Sequence, residues 1–330
     1  MVKVKILQVG IGPIGQHIVK YINERKNLEI VGAMDIDPDK VGKTLGELCE
    51  LDNLNIKIKS SLKEAIENKP DIAIHTTTSS FKKAAPQLLD IIELGIPIVS
   101  TCEELSYPWN TDTEFAKKID EKAKEKGVAI LGTGVNPGFL MDSLPTFMTS
   151  ACQYVEKIKV TRIQNARYRR LPFQNKIGAG LTLEEFEERR KDGSLRHVGL
   201  TESINFIANS IGWNLTKTED NIEPVIANNN IAREVGIIKK GMVAGVMQTG
   251  RGFIDEKEVI MLVFKAAIGE EKIGDTIEIF GEPYIKSTIR EGINGDVATC
   301  AIVLNAIKSV MNASPGLKTM KDIPLVSYFE

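Results

Sequence analysis

In the first part of the chain, short apolar runs alternate with stretches in which apolar residues recur every three or four positions. The runs KVKILQVG, EIVGAMD, DIAIHTTT, IPIVSTC and VAILGTG read as buried strands, with a minor strand over 56–58. Between them, Ile14, Ile18 and Ile22 form one helical stripe, and periodic segments over 41–49, 61–67, 81–94 and 111–126 predict further helices. Strand and helix in strict alternation to about residue 135 predict a parallel sheet covered by helices on both faces, a doubly wound α/β domain.

Beyond that point the pattern changes. A helix is expected over 138–152, followed by the strand VEKIKVTRI, the charged helical stretch LTLEEFEERRKDG and a helix over 201–211. The runs GMVAGVMQTGRGF, EVIMLVFKAAI, DTIEIFG and YIKSTI then follow with only turn residues between them, too short for the crossovers of a parallel sheet. They predict a second α+β domain with a mixed, largely antiparallel sheet and one helix-covered face. The apolar stretch GDVATCAIVLNAIKSVMNA is expected to return as a buried helix, with PGLKTMKDIP closing the chain. The expected division is 1–137 for the first domain, completed by 294–330, and 138–293 for the second. A length of 330 residues agrees with two cores, since single cores stop growing beyond ~250–300 residues.

Composition narrows the function classes. A formal net charge of −2 gives no general attraction for nucleic acid or anionic membrane, so neither is expected as a partner. No apolar run has the length of a membrane helix, and the first strand begins too early for a secretory signal, which places the expected location in the cytoplasm. Cys49, Cys102, Cys152 and Cys300 lie far apart, without zinc-type pairing or a dense disulfide framework.

The candidate chemistry begins in VGIGPIGQHI. Gly10, Gly12 and Gly15 follow a strand and open a helix, with Pro13 and Ile14 between them, in the G-x-G-x-x-G spacing of a Rossmann dinucleotide fingerprint. Asp35 closes the next strand, where a carboxylate accepts from both ribose hydroxyls of adenosine and repels a 2′-phosphate. Lys40 lies close enough in sequence to offset that charge, so NAD is slightly favoured and NADP stays open. Ligands of an open parallel sheet bind beyond the carboxyl ends of its strands. This singles out Thr76 and Thr77 after the fourth strand, counting the minor one, Thr101 and Cys102 with Glu103 and Glu104 after the fifth, and Asn136 in GVNPGF.

Glu103 and Glu104 suit proton exchange with an amine, an imine or bound water; as first-turn acids of a helix they would instead answer its dipole. Asn136 is expected to contact the substrate as a two-sided polar group, in a turn that also permits Pro137 at the start of a helix. Cys102 as a nucleophile would make the chain a semialdehyde dehydrogenase, but two adjacent carboxylates oppose ionisation of the thiol, and it is read as cofactor-pocket lining. In the second domain TRIQNARYRRLPFQN gathers four arginines, and LRHVGL carries His197. Arg162 and His197 are the expected substrate contacts, with Asn165 and Tyr168 from the same stretch.

Taken together, VGIGPIG, DIDPDKVGKTLGEL, STCEELSYPW, GVNPGFLMDSLP and NGDVATCAIVLNAI give a chain that resembles the 2,4-diaminopentanoate dehydrogenases and related native amine dehydrogenases over essentially its full length. The resemblance implies a dihydrodipicolinate reductase-like fold and a homodimer built on the second domain's sheet. It also implies NAD(P)-dependent oxidative deamination of 2,4-diaminopentanoate to 2-amino-4-oxopentanoate and ammonia, within ornithine breakdown, reversible as reductive amination of a ketone. The family's active-site glutamate falls in CEEL; the role is carried to Glu104 first and Glu103 second. No metal is required. The reductase's own paired-histidine signature is missing, since the only histidines are His17, His75 and His197. A dinucleotide-sensing protein without turnover is the non-enzymatic alternative.

Overall fold

A computed structural model describes residues 3–195 and 197–330. The chain forms two compact units, Met1–Phe139 with Asn294–Glu330, and Leu140–Ile293. No helix among the described residues is long and apolar enough to cross a membrane.

The first unit begins β1 (Val4–Val9), α1 (Pro13–Glu24), β2 (Leu28–Met34), α2 (Leu45–Cys49), β3 (Ile58–Lys59) and α3 (Leu62–Ala65). It continues β4 (Ile72–His75), α4 (Phe81–Glu93), β5 (Ile98–Ser100), α5 (Thr113–Lys126) and β6 (Ala129–Gly132). The chain then passes through the second unit: α6 (Ser143–Met148), β7 (Tyr154–Asn165), α7 (Leu171–Lys176), α8 (Leu183–Lys191), α9 (Leu200–Ile211), β8 (Lys217–Ile226) and the small hairpin β9 (Ile231–Arg233) with β10 (Gly236–Ile238). Strands β11 (Val243–Ile254), β12 (Lys257–Ala267), β13 (Gly274–Glu282) and β14 (Ile285–Arg290) complete it. The first unit resumes with α10 (Gly295–Met311) and β15 (Gly316–Lys318).

In the first unit the sheet runs β15-β6-β5-β4-β1-β2-β3, with every pair parallel. The doubly wound expectation holds, for the reason the pattern gave: strands such as β4 and β6 are buried throughout and need helices on both faces. One stripe of α1 buries Gly15, Ile18, Val19 and Ile22, and α10 packs in the same core cluster through Val303, Leu304 and Ile307. Strand β15 is an addition to the expected sheet, three residues of PGLKTM laid parallel to β6.

The second unit has a six-stranded mixed sheet, β14-β13-β7-β12-β11-β8, in which only β7 and β12 are parallel. Helix α9 covers one face against β8, β11 and β12. Alternation along β7 and β12 sends Val160 and Leu262 into that core and leaves Thr161 and Val263 half-buried on the other side. The expected helix over 138–152 is corrected. Turns occupy 136–142, and α6 starts only at Ser143, whose amide donates to Asp142 Oδ1 at 2.6 Å. Pro137 therefore does not open a helix. Strand β8 was also unforeseen.

Candidate functional site

In the first unit the glycine turn is locked from three sides. Gly10 has φ +87°, which a side chain would strain. A Cβ on Gly15 would stand 2.2 Å from Gly10 O, so only glycine lets α1 approach the end of β1 this closely. The Thr76 hydroxyl donates to Gly10 O at 2.7 Å, and Gln8 Nε2 donates to the same carbonyl and to Thr76 Oγ1, both at 3.0 Å. From β2, Asp35 Oδ2 accepts the Ile11 amide at 2.7 Å, while its Oδ1 accepts the Asp37 amide at 3.0 Å. Lys40 bridges Asp35 and Asp37 at 3.2 Å each. Burial works against the Lys40 charge, but hydrogen bonds to the two carboxylates outweigh it and hold the ammonium above its ordinary range.

These residues fit a dinucleotide. Among the described residues no side chain caps α1, a Cβ on Gly12 would meet nothing within 4 Å, and no acid lies in the first turn. A helix start of this kind receives pyrophosphate through backbone amides and the dipole.

At the carboxyl ends of β4 and β5 a second network forms around His75, which sequence reasoning passed over. Its Nδ1 lies 2.8 Å from Ser100 Oγ, and its Nε2 lies 3.1 Å from Gln87 Oε1 and 2.9 Å from Thr77 Oγ1. Ser100 Oγ in turn accepts the Cys102 amide at 3.1 Å. Burial lowers the His75 pKa to about 4, with the Gln87 bond opposing, so the ring is neutral and serves as a fixed hydrogen-bonding post. The Thr101 amide donates to His75 O at 2.9 Å.

Glu103 and Glu104 lie half-buried in a short 3-10 turn, Glu103–Ser106. Glu104 Oε2 accepts the Phe81 amide at 2.8 Å, at the first residue of α4, whose N-cap Ser80 supplies no side-chain bond. That interaction holds the carboxylate in one orientation. Glu103 instead contributes its carbonyl to Ser106 Oγ at 2.8 Å.

The Cys102 thiol is 1% exposed and donates to Ser79 O at 3.3 Å. Burial, then the Glu103 charge, raises its pKa. The expected lining role is corrected for the thiol, which belongs to the core beneath the turn, and a thiolate nucleophile is disfavoured on the same ground. Asn136 is 8% exposed in the turn after β6.

In the second unit Arg162 is 1% exposed. Its guanidinium donates to Asp275 Oδ2 at 3.2 Å and to Ile293 O at 2.8 Å. The expectation of an open fork for substrate is corrected: strand alternation turns Arg162 inward, where Asp275 stands opposite it in register. Gln164 shares that face, donating to Ile293 O at 3.2 Å and accepting from Arg169 at 2.9 Å. Asn165 has the opposite parity, and its Oδ1 caps the following turn through the Arg167 amide. Tyr168 in that turn is 88% exposed.

His197 stands over Phe264 with ring centroids 4.3 Å apart. Its backbone is strapped to the sheet by Gln248, whose Oε1 accepts the His197 amide at 2.8 Å and whose Nε2 donates to its carbonyl at 3.1 Å. Asp220 fixes Gln248 with both oxygens at 2.9 Å. Burial, then Lys176, Arg162 and Arg169, lowers the His197 pKa to about 3. The imidazole is therefore neutral. Gln8, His75, Gln164 and Gln248 were missed by sequence reasoning; a polar residue at an inward strand position was the available signal.

Comparison with known proteins agrees with this geometry. The model of the 2,4-diaminopentanoate dehydrogenase C-terminal domain matches residues 139–329, and that of the dihydrodipicolinate reductase N-terminus matches residues 4–104. A 2,4-diaminopentanoate dehydrogenase of Acetoanaerobium sticklandii is 33% identical over 339 aligned residues, covering 98% of this chain and 94% of the relative. An amine dehydrogenase of Streptomyces virginiae is 21% identical, covering 96% and 95%. Among solved structures, an amine dehydrogenase from Mycobacterium smegmatis superposes with a TM-score of 0.87 at 23% identity, covering 99% of this chain and 97% of that one.

Proposed function

This chain belongs to the 2,4-diaminopentanoate dehydrogenase family, and from that premise we propose that it is an NAD(P)-dependent amine dehydrogenase. Its substrate on this reading is 2,4-diaminopentanoate, converted to 2-amino-4-oxopentanoate and ammonia, with reductive amination of the ketone as the reverse. The observation that carries the reading is the Glu103–Glu104 turn directly after β5, a strand of the same parallel sheet as β1, which leads into the glycine turn. A bound nicotinamide dinucleotide supplies the hydride acceptor.

Gly10, Gly12 and Gly15 keep the start of α1 clear for the pyrophosphate, and Asp35 receives the adenosine ribose. The Asp35 carboxylate favours NAD, since Lys40 is already shared between Asp35 and Asp37. Positive charge grows on the amine-bearing carbon and nitrogen as the carbon–hydrogen bond breaks. A carboxylate of fixed orientation stabilises that iminium, and Glu104, held by the Phe81 amide, is the first candidate. The same carboxylate takes a proton from the water that adds to the iminium carbon. That proton passes from the carboxylate to the nitrogen, which leaves as ammonia while the hydroxyl returns its own proton to the carboxylate, and the ketone remains. We also propose that the second unit's sheet forms a homodimer through the face α9 leaves open.

The test is absorbance of reduced nicotinamide with purified protein, 2,4-diaminopentanoate and either NAD or NADP. Strong reduction is expected with the parent, falling by about 10²–10⁴-fold in Glu104→Gln, while Glu103→Gln retains most of the rate. Absence of reduction in a sample that binds a cofactor removes this substrate. A thiol mechanism would instead require Cys102→Ala to abolish turnover.

A further inference from the structure

Buried polar atoms at the carboxyl end of β6 have no protein partner. Thr133 is 3% and Asn136 8% exposed. Thr133 Oγ1, Asn136 Oδ1 and Asn136 Nδ2 each have no hydrogen-bond partner among the described residues. The turn around them is otherwise anchored: the Thr133 amide donates to Ser100 O at 2.8 Å, and the Val135 amide donates to Thr299 Oγ1 at 3.3 Å. The backbone of the turn is thus anchored on both sides of Gly134 while these buried polar ends stay unmatched. Burying such groups is unfavourable unless something pairs with them.

The chemistry of the orphans selects the ligand. A side-chain amide offers an acceptor and two donors in one plane, and its full complement is another primary amide. A carboxylate, an ammonium or a lone hydroxyl matches only part of it. Strand β6 adjoins β5, and ligands of such sheets bind beyond the strands' carboxyl ends.

Resting on the NAD(P) reading above, we propose that Asn136, with Thr133 in the same turn, holds the primary carboxamide of the nicotinamide ring. Asn136 Oδ1 accepts from the carboxamide nitrogen and Nδ2 donates to its oxygen. This moves Asn136 from substrate contact to cofactor contact and makes it the group that registers the ring.

Titration calorimetry with ADP-ribose, NAD and 3-acetylpyridine adenine dinucleotide tests it. The acetyl analogue keeps the acceptor and lacks the donor, and ADP-ribose lacks the ring. The parent should bind NAD about tenfold more tightly than the analogue, the scale of one buried hydrogen bond. Asn136→Leu should erase that preference and leave ADP-ribose affinity within about twofold of the parent. Thr133→Val should weaken NAD alone, in the same direction. The assignment is overturned by an unchanged preference in Asn136→Leu, by equal weakening of all three ligands in both variants, or by a change confined to the KM of the amine substrate. A parent that binds no ADP-ribose overturns the dinucleotide reading itself, which the other outcomes leave standing.

Discussion

The guanidinium of Arg162 and the carboxylate of Asp275 meet at 3.2 Å with side chains 2% and 0% exposed. Burial lowers the arginine pKa to about 10 against the opposing pull of Asp275, and burial likewise raises the aspartate pKa against the opposing pull of Arg162. Both partners thus record the same balance: desolvation outweighs their attraction. Removing one charge strands the other. Arg162→Met should destabilise the folded chain by about 3–5 kcal/mol, and adding Asp275→Leu should recover a good part of that loss, because no buried charge then remains. Denaturant midpoints of the parent and both variants measure it. A double variant no more stable than the single one would show that the Ile293 amide, which donates to Asp275 Oδ2 at 2.7 Å, keeps the carboxylate from being stranded. The same logic explains why Arg162 misleads in sequence: a run of arginines gives no hint that one of them has an acid opposite it on a neighbouring strand.

Elements announce themselves to the degree that their pattern is local. Strands β1, β4 and β6 were legible because apolar runs of this kind have few alternatives, and the glycine turn because its spacing is complete within one stretch of chain. Strand β8 was hidden by Glu219, Asp220, Asn221 and Glu223, and β15 by its length of three residues. The turn that delays α6 needed the Asp142 cap to be seen. Among site residues, Asp35 and the glutamate pair follow from strand ends. His75 does not, since its meaning lies in Ser100, Thr77 and Gln87 on other elements or turns. That network carries a pH dependence. Folded His75 titrates at about 4, below the ~6.5 of an unfolded histidine. The unfolded chain therefore binds more protons once the pH falls below ~6.5, and stability drops by at most ~1.4 kcal/mol per pH unit until the folded value is reached. His197, lowered to about 3, adds a slope of the same sign. Melting temperatures from pH 7.5 to 5 should fall in the parent and fall less steeply in His75→Asn. Parallel slopes in the two proteins would remove the assignment.

The arrangement of the second unit's open face bears on the whole molecule. Register places Thr288, Thr276, Thr161, Val263, Thr249 and Asn221 in one row across all six strands. Five of the six are β-branched, which makes a flat strip without long side chains. The neighbouring row carries Lys286, Glu278 and Lys159, the two ammoniums sharing one carboxylate at 3.5 and 3.3 Å, so the charges beside the strip are already paired within the chain. The proposed homodimer would pack two such faces at sheet-on-sheet distance, with a twofold axis through the strip setting each surface against its own copy. The middle of the strip is then the position where a charge does most harm. Val263→Asp should halve the mass measured by light scattering at micromolar concentration while the far-ultraviolet circular dichroism is retained, since Val263 is only half-buried within its own chain. A monomeric parent, or an undiminished mass in the variant, would locate any self-association elsewhere and leave the strip as plain solvent-facing sheet.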